Sequence, residues 1–209
     1  YTKTSTYNTY LTLGTLRTLT PYNRKILATL DRVLCWSEGE GYLGWNKHDG
    51  LNSPILERLF SWGKWPRLVA IQTVMRSPVN IRPILLVPKV YNPKGLALFA
   101  QAWIDRYLID NNSDHLRQSE RLLTLLLDLK SPGDWSGSCW GYHYPWQDVG
   151  FYAPSKLPNA VVTAFVCEAF LDAWRITQNE RYLNVVGSAL KFFTNDLNAL
   201  VDNREELCL

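Results

Sequence analysis

Apolar residues recur in steps of three and four through most of this chain, and each such run predicts a helix. Between Tyr22 and Trp36, Ile26, Leu27, Leu30, Val33 and Leu34 share one face. Four clearer helices follow in two hairpins: Lys94–Ile109 with Asp114–Leu129, and Asn159–Ile176 with Glu180–Leu200. In the last of these, Tyr182, Val186, Ala189, Phe193, Leu197 and Leu200 form one apolar stripe, the pattern of an amphipathic helix.

The pattern breaks elsewhere. Residues 1–20 are Thr-rich and have no period, so an irregular arm is expected. The Gly-punctuated stretch Gly39–Pro54 reads as a loop. Ser53-Pro54 closes it as N-cap and first helical position, because Pro lacks the N–H that would go unbonded there. A short helix starts at Pro54, and Pro66 restarts helix toward Met75. Pro78, Pro83, Pro88 and Pro93 then recur every five residues. Each removes a donor and restricts its predecessor, which predicts an extended crossing segment. Its Ile81, Ile84, Leu85, Leu86 and Val87 are too apolar for a linker between domains.

The two hairpins resemble each other. Ala102–Leu116 aligns without a gap on Ala169–Leu183, with Ala102, Asp105 and Leu116 each 67 positions before Ala169, Asp172 and Leu183. Repeated hairpins that cannot bury their faces alone must stack on neighbours. Between them, the 18 residues Trp135–Tyr152 hold Trp135, Trp140, Tyr142, Tyr144, Trp146, Phe151 and Tyr152, with Cys139, His143 and Asp148 among them. Glycines and a proline make this stretch a loop. Such a loop either lines a ligand site with flat rings or plugs the middle of a helical protein with them.

Composition changes this picture little. A chain of 209 residues is expected to form one domain, and nine Trp and eleven Tyr are its main peculiarity. The net charge of +3 comes from interspersed acids and bases without a basic stripe, which argues against a dedicated nucleic-acid binder. Cys35, Cys139, Cys167 and Cys208 are scattered; Cys35 and Cys167 read as small buried hydrophobes, and a reducing cytoplasm is expected. The opening residues lack the basic-then-apolar pattern of a signal peptide, and no apolar run is long enough to span a bilayer. The chain starts at Tyr1 and stops abruptly after Glu-Glu-Leu-Cys-Leu, so a fragment of a longer protein is expected.

Paired helices joined by a long aromatic loop resemble the α/α-toroid architecture. The residues that carry the resemblance are GYLGWNKHDGLNSP, the NIRPILLVPK crossing, and CWGYHYPWQD followed by VVTAFVCEAFLDAW. The chain is most similar to α/α-toroid proteins of bacterial polysaccharide metabolism, which include six-hairpin glycosidases, polysaccharide lyases and uronyl epimerases. The resemblance implies an all-α fold of stacked helical hairpins, and the length implies a partial or truncated toroid. It implies a carbohydrate ligand, and hydrolysis, elimination or epimerisation of an oligo- or polysaccharide as the activity. KSPGDWSGSCWGY also resembles the Gly-and-Trp turn of squalene-cyclase and prenyltransferase toroids. The upstream Gln of that repeat is missing. So is the Asp-rich motif, since Asp110 is followed by Asn111-Asn112. A non-catalytic helical-repeat binding protein is a further alternative.

Toroid ligands sit among the loops at one end of the inner helices, which singles out two loops here. Glycoside hydrolysis needs two carboxyl groups, and Asp49 and Asp148 are the candidate pair, with Glu40 in reserve. Asp49 precedes Gly50 and reads equally as a turn residue. Asp148 has no evident turn or cap role in the sequence. Chemistry on uronic acids instead needs an acid–base group and a cation for the carboxylate. Tyr142, His143 and His48 could supply the first, and Lys47 or Arg82 the second. His143 reads equally as a structural histidine. Trp45, Trp140, Tyr144 and Trp146 are the candidate stacking platform. No metal is expected, because no paired-ligand spacing recurs, and His115 at a helix start is expected to face solvent. No organic cofactor is expected, because no phosphate-binding Gly loop follows a strand.

Overall fold

The computed structural model describes residues 20–197 and the backbone of 201–202 and 207–208. The expected arm at 1–20 lies, apart from Thr20, outside the described residues. The described residues hold seven α-helices and two short antiparallel strand pairs, so the chain is all-α.

Helix α1 (Pro21–Gly39) starts where Thr20 accepts a hydrogen bond from the Asn23 N–H and Pro21 occupies the first turn. It runs three residues beyond the expected Trp36, as far as Gly39. Its buried contacts are Leu34 and Ser37, and Cys35 is exposed, not the buried hydrophobe its apolar surroundings suggested. Cys35 adjoins Leu34, and on a helix adjacent residues do not share a face.

A 3-10 turn (Asp49–Asn52), α2 (Pro54–Phe60) and α3 (Lys64–Arg76) form a small subsidiary core of Leu51, Leu56, Ala70, Ile71 and Val74, flanked by Phe60, Ile81 and Leu85. Ser53 caps α2 as expected: its Oγ accepts from the Leu56 N–H and donates to the Leu85 carbonyl at 2.5 Å. The Pro-rich crossing that follows is not helical, as expected, but neither is it extended throughout. Residues 82–86 coil into turns closed by the Leu85 N–H on the Ile81 carbonyl and the Val87 N–H on the Arg82 carbonyl, which turns Ile84 and Leu86 out to solvent against the expectation that they are covered.

The two hairpins follow. They comprise α4 (Pro93–Asp110) with α5 (Ser113–Asp128), and α6 (Ala160–Thr177) with α7 (Glu180–Asn195). Every boundary of one recurs 67 positions on in the other. Asn92 and Asn159 cap α4 and α6, and Asn112 and Asn179 cap α5 and α7. Asn111 and Gln178 end α4 and α6 in the left-handed region at φ 55° and 54°. The sequence repeat is thus a repeat of caps and turns as well as of apolar positions. Helix α7 stops at Asn195, short of the expected Leu200, which lies outside the described residues. Asp196 ends it, with its carboxylate accepting from the N–H and the Oγ of Ser136 at 2.8 Å each.

Helices α4 and α6 lie side by side and parallel. Lys94 Nζ sits 4.1 Å over the Phe165 ring, Gln101 Nε2 donates to Asp172 Oδ2 at 2.8 Å, and both contacts join positions 71 apart. A constant separation along two helices requires them to run in the same direction. Fully buried Ala97, Ala100, Ala169 and Ala173 let α4 and α6 approach closely. Leu122, Leu123 and Leu126 of α5, with Val186 and Ala189 of α7, close the main core from outside. The long connections 40–92 and 129–159 therefore both deliver the chain to the same end of this parallel pair. His115 does not face solvent freely. It lies against Trp103 at 5.3 Å and its Nδ1 meets Asp110 Oδ1 at 3.2 Å.

Candidate functional site

A cleft of about 420 Å³ opens where the C-terminal end of α1, the chain at 40–46, the end of the crossing and the first turns of α4 meet. The chain leaves α1 through Gly41 and Tyr42, both left-handed at φ 63° and 58°. Tyr42 bears a cost of ~1–2 kcal/mol in that region. It is held there by its N–H on the Ser37 carbonyl, by its hydroxyl accepting from Trp103 Nε1 at 2.9 Å, and by its ring edge against Phe99. Burial raises the Tyr42 hydroxyl above its ordinary pKa, so it stays protonated.

The opposite wall comes from the crossing. Gly44 and Val90 exchange backbone hydrogen bonds, and Trp45 Nε1 donates to the Val87 carbonyl at 2.9 Å. Asn92 works twice: its Oδ1 caps Gly95 and its Nδ2 donates to Asn46 Oδ1 at 2.7 Å. The lining carries one cation and one carboxylate, and they are paired, Lys89 Nζ to Glu40 Oε2 at 2.6 Å. Lys89 also lies 5.3 Å over the Trp45 ring. The indole of Trp36 is 68% exposed and that of Trp45 37%. Ser37 Oγ is buried on the lining without a hydrogen-bond partner.

The chain matches no family model, no curated protein and no solved structure. Its site must therefore be read from its own geometry.

Of the residues singled out from sequence, Trp45 lines the cleft, as does the reserve carboxylate Glu40. Asp49 and Arg82 are brought together, but on each other. Asp49 is fully buried, its Oδ1 accepts from Arg82 Nε at 2.9 Å, and its Oδ2 accepts from the Asn46 N–H at 2.7 Å. Arg82 Nη2 bonds the Asn46 carbonyl. This pair clamps the 46–49 turn to the crossing, and neither member is left for a substrate.

Asp148 does have a turn role, contrary to the sequence reading. Its Oδ1 accepts from the N–H groups of Gly150 and Phe151 at 2.6 and 2.8 Å. It thus shapes the tip between β1 (Trp146–Gln147) and β2 (Tyr152–Ala153), a two-residue ladder within the expected loop. Trp140 is fully buried, with Nε1 donating to the Leu126 carbonyl at 2.7 Å, and has no free face for stacking. Tyr144 is buried too, and burial raises its hydroxyl pKa. Half-buried Tyr142 packs 5.4 Å from Tyr144, and burial raises it likewise. His143 donates from Nε2 to the Leu129 carbonyl at 3.3 Å, and burial lowers its pKa. Trp146 packs edge-on against Phe151 at 5.1 Å. His48 has its pKa lowered, by burial first and then by Lys47.

Cys139 and Cys167 are buried, and burial pushes both thiols up to about 11, which leaves them unreactive. Among the described residues no group of three or more His, Cys, Asp or Glu side chains could hold a metal ion. Sequence reasoning missed Trp36, Ser37, Lys89, Asn92 and Phe99. The Asn92-Pro93 cap was the one local signal that this region closes on something.

Proposed function

We propose that the cleft between α1, the crossing and α4 binds a sugar unit of an oligo- or polysaccharide. The observation that carries this reading is the pairing of two partly exposed indoles, Trp36 and Trp45, with the linked amides of Asn46 and Asn92, each of which keeps donor or acceptor capacity beyond the bond between them. Flat rings stack on the apolar faces of a pyranose, and the polar groups bond its hydroxyls. The volume falls within the roughly 300–1,000 Å³ of small-ligand sites. Lys89 and Glu40 neutralise each other, so the cleft favours an uncharged sugar over a uronate. Hydrolysis calls for two carboxyl groups across the scissile bond, and Glu40 is the one on this lining. Recognition is accordingly the part of a carbohydrate-directed activity that this cleft supports.

The hairpins fit consecutive units of a partial α/α toroid, with α4 and α6 as inner helices and α5 and α7 as outer ones. The constant offset of 67 positions and the parallel inner pair support that reading. Both long connections then lie at the inner helices' N-terminal end, where the cleft is.

Tryptophan fluorescence tests the proposal, with neutral oligosaccharides, uronic-acid oligosaccharides and a polyprenyl lipid titrated in turn. A saturable response to a neutral sugar is expected. Trp36→Ala should weaken it about tenfold, the equivalent of roughly 1.4 kcal/mol of ring stacking. A response to the lipid alone would replace this reading with an isoprenoid site. A sugar response that survives both Trp36→Ala and Trp45→Ala would move the ligand away from this cleft.

A further inference from the structure

The face formed by α2, α3 and the β1–β2 tip is apolar, and among the described residues nothing covers it. Trp62 is 79% exposed and Trp65 66%, and Leu59, Val69, Val149 and Phe151 are exposed around them. These residues are physically joined. Trp62 Nε1 donates to the Leu59 carbonyl, Lys64 Nζ to the Val149 carbonyl at 3.2 Å, and the Arg67 guanidinium lies 4.3 Å over the Tyr152 ring. Val69 follows Trp65 by one helical turn. Helix α3 buries Ala70, Ile71 and Val74 on its other side, so it is apolar on two faces with only one covered. An ordinary surface helix is polar on its outer face.

Bases outnumber acids around this face, where the tip adds Asp148. Residues 54–76 carry Arg58, Lys64, Arg67 and Arg76 against Glu57 alone. Among the described residues none of these bases meets a carboxylate at ion-pair distance. Exposed indoles flanked by unpaired bases are what the boundary of an anionic bilayer accommodates: the rings enter the headgroup layer and the cations meet lipid phosphate. No helix among the described residues is long and apolar enough to cross a membrane, so the contact would be peripheral.

The geometry points to this face as a docking surface for an anionic lipid bilayer, with Trp62 and Trp65 inserting and the exposed Arg58, Lys64 and Arg76 providing the electrostatic contact. It sits apart from the cleft and does not depend on the sugar-binding reading.

Co-sedimentation of the chain with phosphatidylcholine vesicles, and with mixed phosphatidylcholine–phosphatidylglycerol vesicles, tests it. Binding to the mixed vesicles is expected, falling as salt is raised. Trp62→Ala with Trp65→Ala should bring it down to the level on pure phosphatidylcholine, with an unchanged circular dichroism spectrum and an unchanged sugar titration. Arg58→Glu should lower it several-fold. Equal binding to both vesicle types, or binding that survives the double Trp replacement, would overturn the proposal. So would a dimer in light scattering that the double replacement dissolves, since the face would then cover a second copy.

Discussion

Two connections do the same topological job in this molecule and end up physically opposite. The segment 40–92 joins α1 to α4, and 129–159 joins α5 to α6. Both are rich in rings and glycine. The first leaves Trp45, Trp62 and Trp65 open to solvent, whereas the second buries Trp140 completely and Tyr144 almost so, and exposes rings only at its start, Trp135, and at its tip, Phe151 and Tyr152. The glycines explain the difference. A Cβ at Gly137 would lie 1.8 Å from the Ser188 carbonyl oxygen, and one at Gly141 would lie 1.9 Å from that of Leu157. These two positions press the second connection flat onto α7 and onto its own residues 156–157. In the first connection a Cβ at Gly41 or Gly44, beside the cleft, would meet nothing within 4 Å, and the one close approach among its glycines, at Gly50, is looser, 3.1 Å from the Ile71 Cα. Aromatic density therefore does not mark a ligand site. Whether the backbone lies flush on the helices decides which rings remain available.

The sharpest way to break this comparison is to remove one ring from each connection. Trp140→Ala should cost about 3–5 kcal/mol in urea unfolding, because it empties a fully buried site and takes from the Leu126 carbonyl one of the two N–H groups bonded to it. Trp62→Ala, in the first connection, should stay within about 0.5 kcal/mol, since its ring is mostly in water. Equal costs would mean that the two connections are packed alike. A second pair isolates the backbone. Gly141→Ala should cost about 3 kcal/mol or more, because the obstacle is a carbonyl and not a side chain that can swing aside. Gly44→Ala, which enters open space, should remain within about 0.5 kcal/mol by the same denaturation.

The comparison also explains what the sequence could and could not disclose. The hairpins were legible because each apolar position and each Asn cap is specified within one or two helical turns, and because Asn92, Asn111 and Asn112 have counterparts 67 positions on. Ser53-Pro54 was legible for the same local reason. The flat packing of 129–159 was not, since Gly137 is defined by Ser188, a residue from a helix not yet formed when the loop is read alone. Asp148 was misread although its partners are near: a carboxylate that reaches the N–H two and three residues on, at an Asp-Val-Gly step, is an Asx-type turn that the sequence did contain. Asp49 could be given either role until Arg82, 33 residues later, came to lie against it. The cleft was least legible, because Lys89 and Asn92 reach Glu40 and Asn46 across most of the first connection.

The smallest expected effect lies in pH. His143, in the flat connection, is held neutral by burial, so its pKa in the folded chain lies below the ordinary 6.5. An unfolded chain then takes up the proton first as the pH falls, and stability declines from about pH 6.5 down to the folded pKa. Above 6.5 the contribution is fully present and flat. His48, in the open connection, is shifted in the same direction by burial and Lys47. It is nearer to water, so its share of the loss should be smaller. Urea unfolding followed between pH 7.5 and pH 5 should therefore show a decline that His143→Gln removes more completely than His48→Gln does. The reverse order would place the more deeply desolvated imidazole in the first connection and undo the contrast between the two.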